Sequence, residues 1–371
     1  MKKALCMLIS LFLLTGCWDQ RQFKDIKLVL TKAFDLTEDG DLHETVSIPS
    51  VQRGGEGPGP EHIQIVSAEA DNVREARERI DEMISQSFDP SKLKVILLGE
   101  ELAQKGIYPI LDDFYRNPRN NLNAYLGIVE GEAGKAVSIK NQTEPRISTY
   151  ISGILESNIT STHFTGKNLQ LICSDLLSPG KDFTLPYLKV LEESQLIKYD
   201  GLALFHDENY TGVHLTPEQS LLLMLLEGYR GQYARITKKI GKEGDNPLLD
   251  YISINVMKAD QKLKIDAKDS EVKVTVRLNL KARIVEYPKN HLDSYSKVEK
   301  VNKRLSEVLT KDAKEIIDIV QEANSDVFGI GRRVMAYKPD VWDRLDWNEE
   351  FPDIEFEPKV TVEIQELGII N

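Results

Sequence analysis

This chain has little with which to staple itself, to bind metal or to cross a membrane. Of its 371 residues only three are cysteine, namely Cys6, Cys17 and Cys173. The first lies in an N-terminal leader, the second at its end, and the third alone in the body, so an internal disulfide is excluded. Its six histidines, at positions 43, 62, 163, 206, 214 and 291, are scattered, and none pairs with another His, Cys or acid at metal-ligand spacing on an expected helix. No metal site or cofactor is expected. Beyond residue 17 the longest apolar run is Leu221 to Leu226, far short of the ~20 residues of a membrane helix, and it reads as a buried helix. Positive charge is also in deficit: 47 Lys and Arg stand against 59 Asp and Glu, a net −12. Such a body is a poor partner for nucleic acid and for broad adhesion to anionic lipid.

Catalytic signatures are missing as well. The loop from Gly54 to Gly59 lacks the Lys-Ser/Thr of a phosphate-binding loop, and Gly329-Ile330-Gly331 lacks a third glycine and reads as a tight turn before Arg332 and Arg333. No Gly-x-Ser-x-Gly elbow occurs. Adjacent acids such as Glu100-Glu101, Glu192-Glu193 and Glu349-Glu350 point to different sides of a regular element and read as solvated charge. Cys173 shares a helical face with Leu169, Ile172 and Leu176 and reads as a small buried hydrophobe. No catalytic residue is nominated, and the chain is expected not to be an enzyme. Glycosidase-type carboxylates far apart in sequence would escape this reading.

What is present starts at the N-terminus. Lys2 and Lys3 precede an apolar run from Ala4 to Leu14, which is followed by Thr15, Gly16 and Cys17. A basic start, a short apolar segment and small residues before a cleavage point make a secretion signal. Leu-Thr-Gly-Cys is the lipobox pattern of bacterial lipoproteins: cleavage after Gly16 and lipid on the Cys17 sulfur, as S-diacylglycerol, with an N-acyl chain such as palmitate. Two or more chains hold a protein firmly at a membrane, each buried methylene contributing ~0.8 kcal/mol. Trp18 would then sit near the headgroups. Removing residues 1–16 leaves 45 basic and 59 acidic residues, a net −14.

Periodicity divides the rest into an N-terminal α/β-type domain over 17–195, a small middle domain over 196–250 and a C-terminal α+β domain over 251–371. The overall fold class expected is α+β, multi-domain, with mixed and antiparallel sheets and helices packed on them. Ile26 to Ile48 reads as a hairpin, and 53–60 as an exposed, mobile Gly/Pro loop. Val73, Ala76, Ile80, Met83 and Ile84 mark an amphipathic helix. Strands are expected at Leu93 to Leu98 and Ala124 to Val129, with a broken helix over Glu100 to Tyr115. Another helix carries Ile147, Tyr150, Ile151, Ile154 and Leu155. In the middle unit, strands Gly201 to Phe205 and Tyr210 to Val213 form a hairpin, and Thr216, Pro217 and Gln219 open a helix with a capping box. Val272, Val274, Val276, Leu278, Leu280, Ala282 and Ile284 alternate with polar residues in a long half-buried strand, flanked by Tyr251 to Met257 and Leu263 to Ala267. A helix from about Tyr295 to Asn324 and a strand through Val360, Val362 and Ile364 complete the unit.

Several segments, in order and spacing, resemble the Ger(x)C family, the lipoprotein C subunits of nutrient germinant receptors in endospore-forming bacteria. They are Gly16-Cys17-Trp18-Asp19-Gln20-Arg21; Leu97-Leu98-Gly99-Glu100-Glu101-Leu102-Ala103 with Gly106-Ile107; Gly201-Leu202-Ala203-Leu204-Phe205 with Gly212; and Asp326-Val327-Phe328-Gly329-Ile330-Gly331 with Trp342 and Trp347. The resemblance covers nearly the whole mature chain, although Gln20, Gln22 and Phe23 depart from the family's usual residues. It implies a three-domain soluble body, lipid-anchored to the outer face of the spore inner membrane and acting in germination with two integral membrane partners, the A and B subunits; it does not imply catalysis. The competing expectation is a small-molecule (nutrient) binding lipoprotein that presents ligand to a transporter-like partner, which requires a cleft of several hundred cubic ångströms. A wall-degrading enzyme is the third.

Overall fold

The computed structural model describes residues 25–54, 57–140, 144, 146–241, 246–268, 271–289 and 292–367. Two sheets organise the chain. The first has eight strands, built from β2 (Thr31–Leu36), β3 (Leu42–Gly54), β4 (Gly57–Ala70), β6 (Val95–Gly99), β7 (Tyr125–Val129), β8 (Thr184–Leu191), β9 (Leu196–His206) and β10 (Asn209–Leu215). Their spatial order is β10-β9-β8-β7-β6-β2-β3-β4. The four central strands, β8, β7, β6 and β2, run parallel, and antiparallel hairpins flank them on both sides. All five residues of β6 are buried, as a parallel strand covered on both faces requires. A short β1 (Ile26–Leu28) pairs in parallel with β5 (Ser87–Asp89) beside this sheet.

One face of the sheet is covered by α1 (Val73–Met83), α2 (Glu100–Lys105), α3 (Tyr108–Arg116) and α6 (Leu169–Leu176). The other is covered by α4 (Ala133–Val137) and α5 (Ile147–Thr160). Helix α1 follows its expected pattern, burying Val73, Ala76 and Ile80, and is capped by Asn72, whose side chain accepts from the Glu75 N–H at 3.0 Å. The segment 53–60 differs from expectation. Strand pairing runs on to Arg53↔Pro58 and Gly54↔Gly57, so the loop is the tip of a long hairpin. Pro58 and Pro60 are tolerated because β4 is the outermost strand, where a missing N–H costs no ladder bond to a further neighbour.

Residues 196–250, expected as a middle domain, are shared between the two sheets. Their hairpin β9–β10 extends the first sheet beyond β8, so position 195 falls between two adjacent strands of one sheet. Their helix α7 (Pro217–Leu226) opens with the expected capping box on Thr216 and Gln219 and buries every residue from Ser220 to Leu226. A helix buried all round needs packing partners on every side. The partners of α7 are β9 and β10 of the first sheet and the elements of the second.

That second sheet has the order β11 (Ala234–Lys239), β12 (Tyr251–Lys268), β13 (Glu271–Glu286), β14 (Glu355–Glu366). The first two pairings are antiparallel and β14 joins β13 in parallel. Strand β13 buries Val272 to Ile284 in strict alternation, and α8 (Tyr295–Glu322) covers that face with Val301, Leu305, Leu309, Ala313, Ile316, Ile317 and Val320. Three polar residues of α8, one per turn, seal the outer flank of β14. Asn302 Oδ1 accepts from Ile364 N at 3.0 Å, Ser306 Oγ from Val362 N at 2.9 Å, and Thr310 Oγ1 from Val360 N at 3.0 Å. An edge strand's free N–H groups are thus met by side chains. Three short helices, α9 (Ile330–Tyr337), α10 (Pro339–Trp342) and α11 (Trp347–Glu350), close the chain between α8 and β14.

Candidate functional site

Gly16 and Cys17, the expected cleavage point and lipid acceptor, lie outside the described residues. The chain enters the structure at Asp25 and is at once fixed to the body. Ile26 to Leu28 pair with Ser87 to Asp89, and Val29 N donates to Asp89 O at 2.9 Å. Among the described residues no three His, Cys, Asp or Glu side chains are grouped as a metal ion would require. Cys173 is partly buried on α6, beside the fully buried Leu169 and Ile172.

Two of the family-like segments, the one ending at Phe205 and the one beginning at Asp326, come together where the two sheets meet. Asp326, in the turn after α8, is 2 % exposed. Its Oδ1 accepts from Ile330 N at 2.9 Å, and its Oδ2 from Gly331 N at 2.8 Å and from the Trp347 indole at 3.1 Å. Asp182, just before β8, answers from the other sheet. Its Oδ2 accepts from Asp326 N at 2.7 Å, its Oδ1 from Asp207 N at 2.8 Å, and its own N–H donates to Asp326 O at 3.0 Å. Arg332 N donates to Gly180 O at 2.6 Å, and Ser325 Oγ to Phe205 O at 2.5 Å. Two glycines make this approach feasible. Gly329 has φ +62°, and a Cβ on Gly331 would stand 2.5 Å from the Trp347 indole nitrogen. The run Asp326 to Gly331, with Trp347, is therefore a clasp between the sheets, which accounts for its glycines and its tryptophan.

Charge at the clasp is finely balanced. Burial pushes the Asp326 carboxyl up to about 7, against the opposing pull of the Gly331 and Ile330 N–H groups. His206, its Nδ1 3.6 Å from Asp182 Oδ2, has its pKa raised by that carboxylate. Glu227, at the end of α7, is pushed up to about 7 by burial despite Lys167 and Lys181 nearby. Asp175 is buried too, but Lys167 at 2.6 Å and Lys181 at 2.8 Å hold it below its ordinary value. A second knot ties the segment 97–107 to β8, to the loop after β7 and to the β9–β10 turn. The Tyr187 hydroxyl donates to Glu100 Oε1 at 2.7 Å, Gly131 N donates to Glu100 Oε2 at 2.8 Å, and Ile107 N donates to Glu208 O at 3.0 Å.

A cleft of about 870 Å³ opens between α1 and α3, within the size range of small-molecule sites. Partly buried Arg77 lies over the Phe88 ring at 5.2 Å and feels Asp113, Asp81 and Glu44 as its attractive charges. Beneath it Lys32 and Glu44 form an ion pair at 2.7 Å, 2 % and 0 % exposed. The Lys32 ammonium is boxed by the rings of Phe88, Phe114 and Phe34 at 4.8, 5.3 and 5.4 Å. Burial raises the Glu44 pKa, against Lys32. Neither residue belongs to a recognisable sequence motif. The signal was there, because Lys32 and Phe34 share one face of β2, which places an ammonium on the apolar side.

Comparison with known proteins matches the model "Spore germination protein N-terminal domain" to residues 19–190 and "Spore germination B3/GerAC like, C-terminal" to residues 200–368. The spore germination protein GerQC of Bacillus cereus is 25% identical over 370 residues, covering 100% of this chain and 99% of that one. Spore germination protein KC of Bacillus subtilis (strain 168) is 23% identical over 405 residues, covering 99% and 96% respectively. The crystal structure of the GerBC protein superposes with a TM-score of 0.55 at 18% identity, over 90% of this chain and 97% of that chain. That likeness establishes a shared fold.

Proposed function

Because this chain belongs to the Ger(x)C family of spore germination proteins, we propose that it is the non-enzymatic, lipid-tethered C subunit of a nutrient germinant receptor. In this reading Cys17 carries the lipid, the body lies on the outer face of the spore inner membrane, and the partners are the integral membrane A and B subunits. The observation that carries it is the two family matches, which between them span residues 19–190 and 200–368 and start two residues after a lipobox cysteine. A tether supplies what a subunit of this kind needs, since confinement at the membrane raises the effective concentration toward partners without new contacts. The net negative charge of the body disfavours broad adhesion to anionic lipid, which gives the tether its use.

The test is Cys17→Ala in spores. The expected result is release of the protein from spore membranes and a weakened nutrient response, whereas a released, normally abundant protein that still supports full germination would reject the tether. Co-purification of the tagged chain with A and B subunits from detergent extracts checks the partnership.

A second reading, direct binding of a small nutrient, draws support from the cleft over Arg77. Calorimetry of the soluble body with germinant amino acids and sugars should then give heats abolished by Arg77→Gln. Absence of heat for every germinant active in vivo would remove this reading and leave the first intact.

A further inference from the structure

The solvent face of the second sheet carries a ladder of matched charges with one rung out of order. Lys258 meets Asp260 at 3.0 Å, Lys264 meets Asp266 at 2.6 Å, and Lys273 holds Glu355 at 2.9 Å and Glu357 at 2.8 Å. Lys281 and Arg283 reach Glu363 and Glu366, each at 3.8 Å. Between these rows Lys262, Arg277 and Lys359 stand in register across β12, β13 and β14. All three are exposed, and among the described residues none has an ion-pair partner. Like charges directly opposite each other weaken a sheet. Three cations in line are notable in a chain with net charge −12, where acids to break the row are plentiful.

Beside this row a groove of about 1020 Å³ follows the flank of β14 under α8. Arg277 and Lys359 form one wall, and Lys303 and Lys314 of α8, likewise without ion-pair partners among the described residues, form the other. Lys311 also lines it and leans on Glu315 at 3.0 Å. The two acids in the lining are already engaged, Glu357 by Lys273 at 2.8 Å and Glu307 by Arg304 at 3.5 Å. The groove is thus a concentration of positive charge with its negative counterpart missing.

We propose that this groove binds a phosphate-bearing anion, held by Arg277 and Lys359 on the sheet and by Lys303 and Lys314 on the helix. The guanidinium fork matches a pair of phosphate oxygens, and the ammonium groups act as point charges. One carboxylate would leave most of the four cations uncompensated, whereas a phosphate monoester brings up to two charges on one compact group. The same chemistry is offered by a soluble phosphate ester and by the headgroup of an anionic phospholipid. The site is independent of lipid at Cys17, and its test removes that lipid.

The chain from residue 17 onward, with Cys17→Ser, is titrated calorimetrically with pyrophosphate. In parallel it is cosedimented with phosphatidylglycerol–phosphatidylcholine vesicles, with phosphatidylcholine alone as control. Binding to at least one anionic probe is expected at low salt, falling as salt rises. In the double variant Arg277→Gln, Lys359→Gln it should weaken about tenfold or more. Pyrophosphate binding assigns a soluble ester, and binding to phosphatidylglycerol vesicles alone assigns a headgroup. The double variant without ligand should unfold about 1–2 °C higher, because like-charge contacts are relieved. Binding to neither probe, binding undiminished in the variant, or a lowered unfolding temperature overturns the proposal.

Discussion

Glu44 in the first sheet and Asp326 at the seam between sheets are both buried carboxylates, and they are held by opposite means. Among the described residues Glu44 depends on one partner of opposite charge, Lys32, and on no backbone donor. Asp326 has no ion pair among the described residues and accepts instead from two backbone N–H groups and an indole. An ion pair in a core repays desolvation only in part, whereas a set of preplaced N–H donors fixes the geometry of the chain that supplies them. The first arrangement is replaceable by apolar packing, and the second is not, because its donors belong to the loop it shapes.

The sharpest way to break this comparison is Lys32→Met, which leaves Glu44 alone in the core. Urea unfolding should show a loss of about 3–5 kcal/mol, while Lys32→Met combined with Glu44→Leu should return to the native value or above it. A double variant as unstable as the single one would mean that the pair is needed in its own right. Asp326→Asn comes next, because an amide turns one acceptor oxygen into a donor facing other donors. A loss of about 1–3 kcal/mol is expected, with no rescue by any single apolar change around it.

A third effect is pH, and it has the same sign in both regions, because burial raises the Glu44 carboxyl as well. The Asp326 carboxyl titrates at about 7 in the fold against 3.8 as its ordinary value, so the folded chain binds that proton more tightly. Its contribution is complete below the unfolded value and is lost as pH rises through the folded one. Glu227 adds in the same sense. His206, raised above 6.5, also favours the fold below that value and ceases to do so as pH climbs past its folded pKa. The unfolding temperature should therefore fall between pH 5 and pH 8, within the ~pH 4–8 window of these groups, and Asp326→Asn should flatten the slope. A smaller change is expected from Thr310→Val, about 1 kcal/mol for one edge N–H left unmet. The smallest is expected from Arg74→Ala, whose exposed pair with Glu78 at 2.7 Å should contribute less than ~0.5 kcal/mol.

Elements with a strong internal period were readable from the chain alone. The alternation of Val272 to Ile284, the helix expected over 295–324 and found at Tyr295–Glu322, and the Thr216 capping box are local properties. Strand β8 was missed because Thr184 to Leu188 are all buried, so no alternation marks them, and Pro186 argues against a strand. Strand β11 was missed because it is short and carries lysines and an arginine among its six residues. The clasp was legible as a motif but not as a site. Asp182 and Asp326 are 144 positions apart, and only the packing of two sheets brings them together. The unmatched rung of cations was invisible for the same reason, since register across three strands decides which charges face each other.

The three polar rungs that α8 lays along β14 have a consequence for crowding. Copies of the chain packed side by side on a surface would meet flank to flank, and a naked strand there would let one molecule's backbone splice onto the next. With Asn302, Ser306 and Thr310 already occupying those N–H groups, growth of a continuous sheet through β14 is blocked. Neighbours on that side must recognise each other, or a partner, through side chains.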